Sequence, residues 1–175
     1  MVVSVAQLNN ILSNCGFDEV SSDLATIIVR QINIAINDRN EAAMFIAHLI
    51  QQSGGFKYRD RPGKGHPDAP YSSRGYIQLT WKYNYEAASS EIYGDDRLVQ
   101  NPELLSSDPE TSMNVSVWFW IKRVRPTAAP FTNFYLTTKA INGTEEDSFS
   151  NPTAKKRYAF YLKAASVLGI FAKEG

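Results

Sequence analysis

Residues 40–50 carry the strongest structural constraint in this 175-residue chain. Small and branched apolar side chains, among them Ala43 and Ile46, recur there at the three- and four-residue spacing of one helical face. Gly54 and Gly55 follow shortly afterwards, and glycine readily adopts the left-handed backbone that ends a helix. The pattern predicts a buried helix whose last turn stops at the double glycine.

Capping residues, prolines and apolar periodicity indicate further helices along the chain. A capping box at Ser4 and Gln7 predicts a first helix that Gly16 closes. Other helices are predicted to begin at Ser22, to run over 83–92, to begin at Asp108, to run over 131–141 and to begin near Asn151, with a proline-rich link at 125–130. Residues 56–73 predict a long loop, and the β-branched and aromatic residues of 75–81 favour a short strand. Together these patterns predict a mainly helical single domain over residues 1–175.

The balance of charges limits the kinds of partner that the protein is expected to bind. The chain has 18 lysines and arginines against 18 aspartates and glutamates, so its formal charge is zero. Nucleic-acid binding and anchoring at a membrane surface both depend on a basic face, and neither is expected. A neutral ligand such as a carbohydrate is compatible with this balance. The single cysteine, Cys15, allows no intramolecular disulfide and is expected to be a small, partly buried filler.

Six motifs occur in order over the greater part of the chain. They are HLIQQSGGF at 48–56, RGYIQLTWKYNY at 74–85, NPEL at 101–104 followed by DP at 108–109, VWFW at 117–120, ING at 141–143 and RYAFY at 157–161. This ordered set resembles the catalytic domain of the family 19 chitinases, which belong to the lysozyme-like superfamily. The resemblance implies a two-lobed, mainly α lysozyme-like fold with a short β element beside the cleft.

The resemblance also implies a reaction, the endo-acting hydrolysis of β-1,4 N-acetylglucosamine linkages in chitin with inversion at the anomeric carbon. An inverting glycosidase needs one carboxyl group to protonate the leaving oxygen and another to activate a water, roughly 6.5–9.5 Å apart. The expected partners are therefore chitin or chitooligosaccharides, with no nucleic acid, no membrane and no cofactor. We expect the protein to be a monomer.

The position of the proton-donating glutamate in this family corresponds to Gln52 in the present chain. Glutamine cannot donate a proton at neutral pH, although its size and shape are nearly those of glutamate. Loss of general acid catalysis alone lowers a rate on the order of 100- to 10,000-fold. Two explanations are open: a natural relative that binds chitin without cutting it, or an active enzyme deliberately changed from glutamate. An isosteric change at this one site, with the surrounding motifs kept, favours the second.

Other site residues are carried over from the family by position. Asp60, eight residues past Gln52, is the candidate general base, with Asp68 as the fallback. Thr80 corresponds to a residue that helps to hold the attacking water, and Glu146 and Arg157 to an ion pair that tunes the catalytic acid. The expected substrate-binding residues are Gln78, Trp81, Tyr83, Asn84, Ile141 and Asn142. Packing is the alternative role for Trp81 and Tyr83, and Trp118 and Trp120 are assigned to the core.

The same residues are compatible with two further functions. A chitin-binding protein without activity would follow if Gln52 is natural, and a peptidoglycan hydrolase would act on a glycan that also contains N-acetylglucosamine. No metal site is expected, because His48 and His66 are the only histidines and a catalytic zinc usually has three protein ligands. Residues 1–4 lack the charged and apolar segments of a signal peptide, and we expect the natural product to be secreted or extracellular with a leader that these residues do not include.

Overall fold

The computed structural model of the chain describes residues 1–60, 70–143 and 150–175. Within these ranges the helices are α1 Val5–Asn14, α2 Ser22–Ala35, α3 Arg39–Ser53, α4 Lys82–Tyr93, α5 Arg97–Gln100, α6 Leu104–Ser107, α7 Pro109–Phe119, a π-helical turn Trp120–Val124, α8 Arg125–Ala128, α9 Phe134–Asn142 and α10 Pro152–Leu168. The β structure in these ranges consists of isolated bridges, which pair Asp60 with Arg74, Arg74 with Leu79, and Asn133 with Glu174. The prediction of a mainly helical, lysozyme-like fold is confirmed.

Several helix ends lie where the capping residues predicted them. Ser4 and Gln7 form the reciprocal capping box that begins α1. The carboxylate of Asp108 accepts a hydrogen bond from the backbone of Thr111 at the start of α7, and Asn151 caps α10 in the same way. At the other end of a helix, Gly54 takes a left-handed backbone with φ of +62° and ends α3. Helices end at these residues because the residues supply hydrogen bonds to backbone groups that have no partner within the helix.

Helix α3 lies at the centre of the domain. Every residue from position 42 to position 50 is fully buried, so this helix has no solvent-facing side over most of its length. Among the described residues, α3 and α10 form the most extensive contact between two helices. Helices α1 and α9 pack against α10 in turn. Trp120 is fully buried and Trp118 is nearly so, which confirms their assignment to the core. The part of α3 that leads into its last turn is therefore held by packing on all sides.

The prediction of a strand over 75–81 is wrong. Arg74 and Leu79 exchange both backbone hydrogen bonds, at 3.1 and 2.8 Å, and residues 75–78 form the tight turn between them. The turn needs left-handed backbone at Gly75 and at Gln78, whose φ angles are +80° and +62°. The β-branched and aromatic composition suited a strand, but a glycine at its start and an adaptable glutamine within it allowed the chain to reverse.

The proline-rich link predicted over 125–130 is also partly wrong. Residues 125–128 continue the helical path of α7 as α8, after the π-helical turn of Trp120–Val124. Pro126 lies in the first turn of α8, directly after the π-helical turn, and a first-turn position tolerates the proline ring. The link therefore begins only after Ala128. None of the helices in the described ranges has the length and apolar character needed to cross a membrane.

Candidate functional site

Gln52 lies in the last turn of α3 and is half-buried. Its side-chain amide makes two hydrogen bonds to other parts of the chain. Nε2 donates to the backbone carbonyl oxygen of Ile77 over 3.0 Å, and Oε1 accepts from Nη2 of Arg157 over 2.6 Å. One end of the side chain therefore faces an acceptor, and the other end faces a cationic donor.

Arg157 reaches this position from α10 and is only 1% exposed. Besides its bond to Gln52, it contacts the ring of His48, with 3.2 Å between Nη1 and Nδ1. His48 is fully buried one helical turn before Gln52, and its Nε2 lies 2.7 Å from the hydroxyl of Thr137 in α9. Burial and the nearby charge of Arg157 together hold the pKa of His48 well below its ordinary value. The ring is therefore neutral near pH 7.

A compact reversal of the chain follows directly after Gln52. Gly54, Gly55 and Phe56 all have positive φ angles, of +62°, +76° and +64°. Gly55 also lies against Phe17, since a Cβ atom at this position would come within 2.7 Å of the phenyl ring. The hydroxyl of Ser53 accepts a hydrogen bond from the backbone N–H of Phe56 over 2.8 Å. The motif SGGF thus encodes a turn that only glycine at its centre permits.

The turn over 75–78 brings the Ile77 carbonyl to Gln52 and joins two other segments. The backbone N–H of Gly75 donates to the carbonyl of Arg59 over 2.5 Å, and that of Tyr76 donates to the hydroxyl of Ser112 over 2.8 Å. Asp60 is exposed and forms a backbone bridge with Arg74, at the base of the same turn. The structure therefore connects Gln52 and Asp60 to opposite parts of one short turn.

The side chain of Gln78 folds back onto this turn. Its Nε2 donates to the carbonyl of Gly75 over 2.7 Å, while its Oε1 is buried and has no protein hydrogen-bond partner. Thr80 lies just beyond, and its hydroxyl donates to the carbonyl of Gln78 over 3.0 Å. Because that proton is used, the hydroxyl of Ser73, 2.9 Å away, is the donor to Thr80. Thr80 keeps one lone pair with which it can accept a hydrogen bond from a water.

The predicted substrate-binding residues differ in their access to solvent. Trp81 and Tyr83 are 44% and 62% exposed, so neither ring lies in the core. Trp81 also has a φ of +77°, which is rare for a bulky residue and is typical of functional sites. Asn84 is only 7% exposed, and its Nδ2 donates to the carbonyl of Thr80 over 2.9 Å. In this structure Asn84 therefore braces the start of α4 rather than presenting its amide to solvent.

The remaining predicted residues lie at the end of α9 or outside the described ranges. Ile141 and Asn142 are half-buried in its last turn, on the helix that also carries Thr137. Asp68, His66 and Glu146 fall in 61–69 and 144–149, outside the described residues. The described ranges contain no group of three or more His, Cys, Asp or Glu side chains placed to hold a metal ion. Cys15 is half-buried, and burial raises the pKa of its thiol to about 11.

Sequence reasoning missed three groups at this site: the Ile77 carbonyl, the imidazole of His48 and the hydroxyl of Thr137. The carbonyl leaves no trace in the sequence, because any residue has one. His48 did leave a signal, since it lies four residues before Gln52 and so shares its helical face. Thr137 lies outside the six motifs, and nothing in the sequence pointed to it.

Comparison with known proteins gives consistent results for sequence and fold. The model of the family described as class I chitinase matches residues 51–132, a range that includes Gln52, Asp60 and Thr80. A basic endochitinase of Brassica napus is 32% identical over 146 residues, which cover 75% of this chain and 53% of that protein. Endochitinase EP3 of Arabidopsis thaliana is 33% identical over 149 residues, which cover 77% of this chain and 53% of that protein. The chain thus spans about half the length of these curated relatives.

Two solved structures extend the likeness to almost the whole chain. The class IV chitinase of Zea mays superposes with a TM-score of 0.78 at 25% identity, over 97% of this chain and 94% of that one. A chitinase C mutant in which glutamine replaces a glutamate superposes with a TM-score of 0.77 at 26% identity, over 99% and 96%. Fold and motifs together define a helical domain with the lysozyme-like fold. Within that class, the chain is similar in both sequence and fold to the chitinases of glycoside hydrolase family 19.

Proposed function

We propose that this domain is built to hydrolyse β-1,4 N-acetylglucosamine linkages in chitin by an inverting acid/base mechanism, with position 52 as the place of the general acid. The main support for the proposal is the pair of hydrogen bonds that holds the side chain of Gln52. Its amide is held between the Ile77 carbonyl and the Arg157 guanidinium, in the motif where family 19 chitinases have their acid. The sequence relatives that support it are named endochitinases.

The two contacts of Gln52 suit a neutral side chain that both donates and accepts. A protonated carboxylic acid has the same shape and the same capacity, with its O–H in place of the amide N–H. A carboxylate can only accept, so it would meet the Ile77 carbonyl with repulsion on that side. The pocket therefore suits glutamine and the protonated form of glutamate alike, and a general acid must begin the reaction protonated.

Asp60 is the proposed general base. It is exposed beside the turn that contacts Gln52, so a water can reach it. Thr80 has a free lone pair two residues beyond that turn and is proposed to help hold the same water. An inverting mechanism requires such a water to attack the face of the sugar opposite the leaving group. Asp68 is the other candidate, in the segment that follows Asp60.

The proposed sugar contacts come from the exposed rings of Trp81 and Tyr83 and from Gln78, Ile141 and Asn142. The Oε1 of Gln78 lacks a protein partner but is closed off from solvent, so accepting a hydrogen bond from an acetamide N–H requires this side chain to turn outward. The aromatic rings offer flat apolar faces on which a sugar ring can lie. Because chitin is an extracellular polymer, we propose that the natural protein acts outside the cell, as a monomer.

The chain as it stands, with Gln52, is proposed to bind chitin with little or no hydrolysis. The test compares it with the Gln52→Glu variant on chitooligosaccharides. Restoring the acid is expected to raise the rate on the order of 100-fold or more. Gln51→Glu is the matched control, because it adds the same carboxyl group one residue earlier in the same helix turn and should stay inactive.

Equal rates for Gln52, Gln52→Glu and Gln51→Glu would contradict the proposal. An assay of the same proteins on peptidoglycan separates the two glycans. A gain confined to peptidoglycan would overturn chitin as the substrate while keeping position 52 as the acid. Asp60→Asn in the restored protein is expected to lower the rate on the order of 100-fold or more, and Asp18→Asn, on an exposed loop, serves as its control.

A second candidate function is chitin binding without catalysis. It is favoured by the fact that both polar ends of Gln52 are satisfied in the pocket, so the glutamine fits this structure without an unmet hydrogen bond. The two functions differ in one observable. A binding protein keeps its affinity for chitooligosaccharides but gains no turnover when Gln52 is replaced by glutamate.

A further inference from the structure

His48 is a fully buried polar side chain that the proposed reaction does not use directly. It lies in α3 one turn before Gln52, and its ring stacks on Phe134 with 4.7 Å between ring centroids and 8° between planes. The ring of Trp120 lies 6.0 Å away on another side. These contacts fix the plane of the imidazole. Both of its nitrogens then point at polar groups from other helices.

The direction of each hydrogen bond follows from Thr137. Its hydroxyl donates its one proton to the backbone carbonyl of Phe134 over 2.6 Å. At its contact with His48, over 2.7 Å, the hydroxyl can therefore only accept. Nε2 of His48 must carry the hydrogen. In a neutral ring Nδ1 is then an acceptor, and it faces Nη1 of Arg157 at 3.2 Å.

The other terminal nitrogen of Arg157, Nη2, donates to Gln52. A guanidinium group is flat and its donors lie at fixed angles. Holding one terminal nitrogen at His48 therefore fixes where the other one points. A protonated imidazole would present N–H against N–H at this contact, so the arrangement requires a neutral His48.

We propose that His48 is a positioning residue that acts through Arg157. Thr137 holds its neutral Nε2–H form, and its Nδ1 atom aims the guanidinium at the side chain in position 52. This role rests on the proposed function, because it matters for catalysis only if position 52 is the acid. The geometry itself is tested on the free protein, without substrate or turnover.

The first measurement is the 15N NMR spectrum of the histidine rings in the unaltered chain, with the His48 signals assigned by their loss in His48→Gln. The proposal predicts a neutral ring with hydrogen on Nε2 at pH 7. Thr137→Ser, which keeps the hydroxyl, should preserve this form, and Thr137→Val, which removes it, should populate the Nδ1–H form. A ring that is protonated on Nδ1 in the unaltered chain would overturn the proposal.

The second measurement follows the carboxyl group introduced by Gln52→Glu, titrated by 13C NMR. His48→Phe keeps a stacked ring but removes both hydrogen bonds, so the contact at Nη1 that orients Arg157 toward position 52 is lost. The pKa of the introduced carboxyl is then expected to rise by about one unit. His48→Gln loses the ring but keeps an acceptor and a donor, and should leave this pKa within about 0.3 units of the His48 protein.

The two variants separate positioning from simple destabilisation. A purely structural role predicts that His48→Gln, which loses the stacked ring, disturbs the site at least as much as His48→Phe. An unchanged carboxyl pKa in His48→Phe would overturn the proposal. If Gln52→Glu shows these shifts yet cuts no glycan, the proposed function fails and the positioning role stands. Should His48→Phe not fold, the pair Thr137→Ser and Thr137→Val gives the same comparison.

Discussion

Arg157 donates to the side-chain oxygen of Gln52 over 2.6 Å from a position that is only 1% exposed. A charged guanidinium at this depth is stabilised only while its donors have partners. The bond links α10 to the last turn of α3, which are the two helices with the most extensive packing in the described residues. Arg157 therefore contributes both to the candidate site and to the packing of α3 against α10, and a change at Arg157 affects both.

Replacing Arg157 with methionine is expected to lower the free energy of unfolding by about 3 kcal/mol. The variant leaves Gln52 and His48 without a donor in a buried setting, and each such loss carries a penalty of about 1–3 kcal/mol. Urea unfolding followed by circular dichroism measures the change. Lys156→Met, at the exposed neighbouring position of α10, is the control and should stay within about 0.5 kcal/mol of the parent. Equal effects of the two substitutions would contradict the structural role of Arg157.

Gly55→Ala is expected to destabilise the protein more than Gly94→Ala. Both glycines have left-handed backbone, with φ of +76° and +71°, so both substitutions carry a backbone penalty of about 1–2 kcal/mol. A Cβ atom at Gly55 also meets the Phe17 ring at 2.7 Å, whereas nothing lies within 4 Å of one at Gly94. The difference between the two unfolding free energies isolates the steric effect of the added methyl group. Overpacking of this kind typically costs about 1–3 kcal/mol. No difference would mean that Phe17 moves freely.

The stability of the protein should fall as the pH drops below about 6.5, in part because of His48. Burial and the charge of Arg157, the charged group that contacts its ring, lower the pKa of His48 well below 6.5 in the folded state. The unfolded chain therefore binds more protons between the folded pKa and about pH 6.5. The His48 contribution is complete above pH 6.5 and is lost below it, at up to about 1.4 kcal/mol per pH unit. Urea unfolding from pH 7 to pH 5 should show a shallower decline in His48→Gln, and identical slopes would contradict the prediction.

Trp81→Ala is expected to weaken binding of chitooligosaccharides about 2- to 12-fold, which corresponds to an aromatic contact of about 0.5–1.5 kcal/mol. Titration calorimetry is possible with the chain as it stands if Gln52 leaves the oligosaccharide uncut. Phe171→Ala removes an even more exposed ring, at 95%, from the segment after α10 and serves as the control. Equal affinities for Trp81→Ala and the parent would remove Trp81 from the substrate-binding set.

Most of the fold could be predicted from the sequence because local chemistry decides the helix ends. Ser4, Asp108 and Asn151 satisfy backbone groups within three residues of themselves, so their effect is visible without the tertiary structure. Residues 75–81 were predicted wrongly because their path depends on distant partners. The Ser112 hydroxyl and the Arg59 carbonyl, which hold the turn, lie far from it in the sequence.

The candidate site also contains some residues that the sequence predicts and others that depend on the tertiary structure. Its motifs placed Gln52 and Arg157 in the site by resemblance, and the structure shows these side chains in contact although 105 positions separate them. The Ile77 carbonyl could not be predicted, because a backbone group becomes specific only when a turn aims it. Asn84 was expected to contact substrate but lies mostly buried against Thr80. The roles of Asp60 and Thr80 stay predictions, and Asp68 and Glu146 lie outside the described residues.

The most direct test of the account is the 1H NMR time course of a chitooligosaccharide with the Gln52→Glu variant. Hydrolysis is expected to be on the order of 100-fold faster or more than with Gln52, and the first reducing end released from the β-linked substrate is expected to be the α-anomer. No acceleration, or an acceleration matched by Gln51→Glu, would contradict position 52 as the acid. A first product in the β form would contradict the inverting mechanism.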